Sequence, residues 1–116
     1  MFIAVVMRPD IVYAVNQLAM YTTNPDLHHW TAAKRVLQYL SGTQSEGITY
    51  LAEANAEVKI TGYSDASLAS LDDMTSVSGY VFLVAGGAIT WRSKKQNAIS
   101  LSSTEAEYIS LADAAR

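Results

Sequence analysis

Three acidic stretches and one histidine pair hold side chains whose types suit chemistry. Glu105 and Glu107 stand either side of Ala106 in the run Ser102-Ser103-Thr104-Glu105-Ala106-Glu107-Tyr108. Asp65 closes the run Val58-Lys59-Ile60-Thr61-Gly62-Tyr63-Ser64-Asp65, and Asp72-Asp73 follow shortly after. His28-His29-Trp30 sits in the first third. Converging carboxylates can hold a hard cation such as Mg²⁺. A carboxylate pair can also cleave a glycosidic bond, but no further motif supports that use.

Local physics divides the two glutamates. Ser102 and Glu105 have capping-box spacing, in which Ser102 accepts from the N–H of Glu105 and Glu105 reaches back to the N–H of Ser102. That is a sufficient structural task for Glu105. Glu107 has no such task. The residues Leu101, Thr104, Tyr108, Leu111 and Ala115 mark an expected buried stripe, with Glu107 roughly 80° off its centre. It is either a boundary residue in water or a chemical group. Asp65 is out of place in a strand, where Asp is depleted, unless it starts a turn or does chemistry. Asp72 and Asp73 read as turn residues. Trp30 reads as core, and His28 and His29 as the surface of a helix start.

The elements that must position these residues are legible from periodicity. Apolar residues recur at helical spacing over 10–21 and again over 27–40, with Pro25 in a first turn and Ser41-Gly42 closing the second helix. Residues 47–51 read as a short strand. Alternation and β-forming residues predict strands over 58–65 and 78–85. A polar loop over 66–77 separates them. Gly86-Gly87 predicts a tight hairpin into a further strand over 88–92. A last helix is expected over 103–115. The fold class is therefore α+β: two N-terminal helices, a three-stranded antiparallel sheet, then a helix.

Composition narrows the function. The chain has 116 residues, half of them apolar and 16% charged, which excludes a disordered tail. It has no cysteine, so neither a disulfide scaffold nor a thiolate metal site is possible, and a reducing compartment suits it. The net charge of −3 argues against a free-standing nucleic-acid binder, which is usually basic. Residues 1–7 are apolar but too few to cross a membrane, which takes about 20 residues, and no basic segment precedes them as in a signal peptide.

Ordered motifs carry a resemblance. Arg8-Pro9-Asp10-Ile11 with Tyr13-Ala14-Val15, His29-Trp30 with Ala33 to Leu40 and Gly42-Thr43, Gly62-Tyr63-Ser64-Asp65-Ala66, Ser78-Gly79-Tyr80-Val81-Phe82, Gly86-Gly87-Ala88-Ile89, Ser93-Lys94-Lys95-Gln96 and Leu101 to Tyr108 follow one another along nearly the whole chain. Together they resemble the Pol polyprotein of copia-type LTR retrotransposons, from the end of the reverse transcriptase into RNase H. The resemblance implies a boundary, with 1–52 belonging to the reverse transcriptase end and 53–116 to the N-terminal part of a truncated RNase H-like fold. It implies hydrolysis of RNA in RNA–DNA hybrids with Mg²⁺, and Asp65 and Glu107 as catalytic metal ligands. Glu107-Tyr108-Ile109-Ser110 fits the family's pattern of Glu, two bulky residues and a small one, whereas Glu105 does not.

The same resemblance implies an incomplete site. The family's third catalytic Asp, in a Tyr-Cys-Asp-Asn-Gln-type motif, is not found before Arg116, so this chain is expected to be inactive or nearly so. The family's second Asp and Trp after Asp65 are replaced by Ser67 and Leu68, and its basic pair after Asp73 by Met74-Thr75. Lys34, Arg35, Arg92, Lys94 and Lys95 remain as candidate phosphate contacts or as plain surface charge. The alternative is a non-catalytic remnant that self-associates through an exposed sheet edge. The expected location is intracellular, in cytoplasm or nucleus, with no membrane partner.

Overall fold

The computed structural model describes residues 1–51, 58–68 and 74–116. Its elements are α1 (Phe2–Val6), a 3-10 turn (Pro9–Ile11), α2 (Val12–Met20), α3 (Leu27–Gly42), β1 (Ile60–Ser67), β2 (Val77–Val84), β3 (Gly87–Lys95) and α4 (Ser103–Ala114). The α+β class and the order of helices, antiparallel sheet and helix match expectation, with α1 an additional short helix ahead of the two expected. The chain divides into two compact units, Met1–Ile48 and Thr49–Arg116. Asp72 and Asp73 lie outside the described residues.

The helical unit is organised by polar contacts as much as by apolar ones. The Arg8 guanidinium donates to Asp10 Oδ2 at 2.7 Å and to Thr43 Oγ1 at 2.7 Å. The Tyr39 hydroxyl donates to the same Asp10 oxygen at 2.9 Å. The start of α2 is thereby tied to the end of α3. Helix α3 starts at Leu27, as expected, and Pro25 precedes its N-cap: Asp26 is that cap and accepts from the His29 N–H, while His29 Nδ1 accepts from the Asp26 N–H. A histidine has replaced the usual Glu at the third helical position. Its ring stacks on Tyr21 at 4.1 Å. His29 is therefore a cap, not plain surface. Trp30, expected in the core, is 60% exposed and borders an apolar groove with Leu18, Ala19 and Pro25. Its ring has no apolar layer outside it within this unit.

The second unit is a meander with strand order β1-β2-β3 and one helix laid on it. Asp65 pairs with Gly79, and Tyr80 with Arg92. The hairpin turn falls one residue earlier than expected. Ala85 (φ 50) and Gly86 (φ 80) take the two left-handed positions of a primed turn. Gly87 begins β3 instead, where a Cβ would meet the Tyr50 ring at 2.5 Å and the Thr49 carbonyl at 2.9 Å. Residues 47–51 are not a strand. They still seal the hairpin: the Leu51 N–H donates to the Ala85 carbonyl at 2.8 Å and the Tyr50 hydroxyl to that of Ala88 at 2.8 Å. Strand β1 begins two residues later and runs two residues past Asp65, because Ala66 and Ser67 still pair with Ser78 and Val77.

Helix α4 sits on the sheet by its small residues. Ala106 and Ser110 are fully buried, whereas Leu101 is 90%, Tyr108 69% and Leu111 56% exposed. The expected stripe of large residues is thus wrong. Backbone-close packing admits only small side chains, and the large ones turn outward. The Ser110 hydroxyl donates to the Asp65 carbonyl at 2.6 Å and reaches that of Gly79 at 3.3 Å.

Two tests follow from this arrangement. Ser110→Val puts a branched side chain where a hydroxyl now contacts two strands, and is expected to cost about 2 kcal/mol in denaturant unfolding. Ser110→Ala, which removes only the hydrogen bond, should cost about 1 kcal/mol. In the helical unit, the Arg8 hydrogen bonds hold the Asp10 carboxyl down at about 2, against an ordinary 3.8. A depressed acid stabilises the fold above its unfolded value and loses that contribution as pH falls from about 4 through about 2. The pair is partly exposed, so the contribution is about 1 kcal/mol or less. Carboxyl-carbon NMR titration should find the Asp10 midpoint near 2, and Arg8→Met should return it towards the ordinary carboxylate range.

Candidate functional site

Asp65 lies within β1, two residues before the strand ends, and its side chain is exposed. Its Oδ1 accepts from the N–H of Ala66 at 2.9 Å, which steadies the carboxylate against its own strand. Glu107 lies on α4, about a quarter turn round from buried Ala106 at roughly 100° per residue, and is also exposed. It borders a groove of about 510 Å³ with Ser64 from β1 and Ser103, Thr104, Tyr108 and Leu111 from its own helix. The strand residue next to Asp65 therefore shares a groove with Glu107. Ser110, one turn along from Glu107, is bonded to the main chain of Asp65 itself.

Glu105 is accounted for by the cap. Ser102 Oγ accepts from the Glu105 N–H at 3.2 Å, as spacing predicts. The reciprocal bond is shifted: Glu105 Oε2 accepts from the N–H of Leu101 at 2.7 Å rather than from that of Ser102. Leu101, extended into solvent, makes no staple against Ala106. The carboxylate of Glu105 is thus committed to starting the helix, and that of Glu107 is not.

One buried side chain was not singled out from sequence. Gln96, immediately after β3, is 4% exposed. Its Nε2 donates to Ser78 Oγ at 2.7 Å and to the Ala106 carbonyl at 3.0 Å, and its Oε1 accepts from Ser100 Oγ at 2.8 Å. Its main-chain N–H donates to the Ser76 carbonyl at 2.8 Å. A single amide joins the sheet to α4 at the residue before Glu107. The available signal was a polar residue between a strand and a helix, which reads equally as loop.

The donor set bears on metal binding. Among the described residues no group of three or more His, Asp or Glu side chains is placed to hold an ion. By donor chemistry alone the carboxylates of Asp65 and Glu107 would suit a hard cation such as Mg²⁺, which takes carboxylate oxygens and keeps several waters; the groove that Glu107 borders is lined from β1 by Ser64 rather than Asp65. The two carboxylates do not form a two-metal cage by themselves. The candidate phosphate contacts fall into two sets. Lys34 and Arg35 are exposed on α3 in the helical unit, and Arg92, Lys94 and Lys95 lie on β3 in the sheet unit. Arg92 and Lys94 are exposed and two residues apart, so they project from the same side of an edge strand.

Comparison with known proteins supplies the family. No family model and no solved structure matches the chain. A protein named secreted RxLR effector protein 161, from Plasmopara viticola, is 45% identical over 98% of the chain and 80% of its own length. The Pol polyprotein of transposon TNT 1-94 from Nicotiana tabacum is 41% identical over 94% of the chain, and that of transposon RE2 from Arabidopsis thaliana 47% over 91%. The chain spans only 8% and 7% of the length of these two polyproteins. No helix among the described residues is long and apolar enough to cross a membrane. With this identity running through more than nine-tenths of its residues, the chain belongs to the family of retrotransposon Pol polyproteins.

Proposed function

We propose that residues 53–116 are the first half of an RNase H domain and residues 1–52 the end of a reverse transcriptase, within a copia-type element working inside the cell. On this reading Asp65 and Glu107 are metal-ligating carboxylates for cleavage of RNA in RNA–DNA hybrids. The supporting observation is the seating of α4: Ser110 is bonded to the Asp65 main chain, with the uncommitted Glu107 one turn away and Ser64 in its groove. A bound Mg²⁺ would supply a polarised water and stabilise the leaving oxygen. The chain's own contribution is to hold two carboxylates on rigid elements, one on a strand and one on a helix. Arg92, Lys94 and Lys95 on β3 suit the phosphates of a hybrid.

The decisive experiment uses a whole Pol polyprotein carrying this segment. Asp65→Asn and Glu107→Gln should each lower hybrid cleavage at least about 100-fold, about 2.7 kcal/mol of transition-state stabilisation, while Glu105→Gln changes chiefly stability. Undiminished cleavage in either of the first two variants overturns the assignment. Residues 1–116 alone should not cut a hybrid at a measurable rate. Cleavage by that chain, abolished by Asp65→Asn, would mean that the two carboxylates suffice.

A second reading has its own support. Among the described residues β1 is an edge strand, eight residues long, and it contains neither proline nor lysine, the usual guards of such edges. The effector-named relative shows that this segment can make up most of a protein. The chain would then be a non-catalytic module that self-associates through β1. Sedimentation velocity over a hundredfold concentration range should show concentration-dependent association, reduced by Thr61→Lys with Tyr63→Lys. A monomer throughout rejects this reading.

A further inference from the structure

We infer that Gln96 is the positioning residue of the candidate site, setting where Glu107 stands relative to Asp65. This rests on the reading of those two carboxylates as metal ligands. Helix α4 has few large buried side chains to fix its rotation, since Ala106 and Ser110 are its buried residues. Small residues permit close approach but allow a helix to slide or turn. Directional bonds supply what packing leaves open. Ser110 ties one point of α4 to Asp65 at 2.6 Å. Gln96 ties a second point, one turn earlier, at the Ala106 carbonyl.

Two tethers one turn apart fix the helix along the sheet, and the close packing of Ala106 and Ser110 limits its roll; Glu107 lies between them. Gln96 is itself held from three sides. Ser78 accepts from its amide, Ser100 donates to its carbonyl, and its N–H is paired to Ser76. A buried amide with both ends satisfied holds one orientation, because turning it over would set its oxygen against the Ala106 carbonyl, acceptor against acceptor. The anchor therefore transmits the position of β2 to the residue before Glu107. Gln96 touches neither the metal nor the substrate.

Mn²⁺, a paramagnetic substitute for Mg²⁺, reads the site without requiring activity. In the wild-type chain, titrated Mn²⁺ should broaden the NMR signals of Asp65 and Glu107 together, with one midpoint. Gln96→Asn, which shortens the anchor, should weaken that binding about tenfold and separate the two midpoints. Ser100→Ala keeps Gln96 but frees its carbonyl, and should shift binding in the same direction by a smaller factor. Ser102→Ala loosens the cap of the same helix without touching the anchor. It should lower Tm and leave the Mn²⁺ midpoint unchanged, which separates positioning from general destabilisation. Unaltered joint broadening in both Gln96→Asn and Ser100→Ala overturns the role of Gln96 while leaving the metal reading intact. Failure of Mn²⁺ to broaden either carboxylate in the wild-type chain overturns the metal reading, and the positioning role with it.

Discussion

Everything about the sheet unit turns on how α4 is held down. The helix meets the sheet through Ala106 and Ser110, neither large enough to make a hydrophobic anchor. Two buried hydrogen-bonding side chains do the holding, Ser110 against the Asp65 main chain and Gln96 against the Ala106 carbonyl. A hydrogen bond adds only about 1 kcal/mol net, but leaving its buried partner unpaired costs about 1–3 kcal/mol. The seat is therefore specific rather than strong.

That choice has a consequence on the outside. The large apolar residues of α4 face solvent, and among the described residues no strand pairs with the outer edge of β1. The helical unit shows the same habit: Trp30 and Leu37 are more than half exposed, and the contacts of Arg8, Asp10, Tyr39 and Thr43 order it alongside buried Ala4 and Ile11. Both units expose the kind of surface that other parts of a larger protein would cover. The small share of the Pol polyproteins that the chain spans is in keeping with this.

Much of the fold was legible from period and punctuation. The helices, the three strands and the Ser102 cap follow from spacing that local physics enforces. What failed were the inferences needing knowledge of the partner surface. A helix was assigned a large apolar face because amphipathic helices usually bury one, but close contact with two strand backbones selected Ala106 and Ser110 instead. The hairpin slid by one residue because Gly87 was required beneath Tyr50, so Ala85 took a left-handed position. Gln96 was unreadable because nothing local tells a buried amide from a loop residue. At the candidate site, the separation of Glu105 from Glu107 was legible, since capping is local. The way Asp65 is joined to α4 was not, because it depends on a contact across 45 residues of chain.

The central claim is that Asp65 and Glu107 form one metal site. Anomalous diffraction from crystals of the chain grown in Mn²⁺ tests it most directly. The account predicts a single anomalous peak within about 2.0–2.3 Å of a carboxylate oxygen from each residue, with water in the remaining positions. A peak on one carboxylate with the other turned away, or no peak at either, would contradict it.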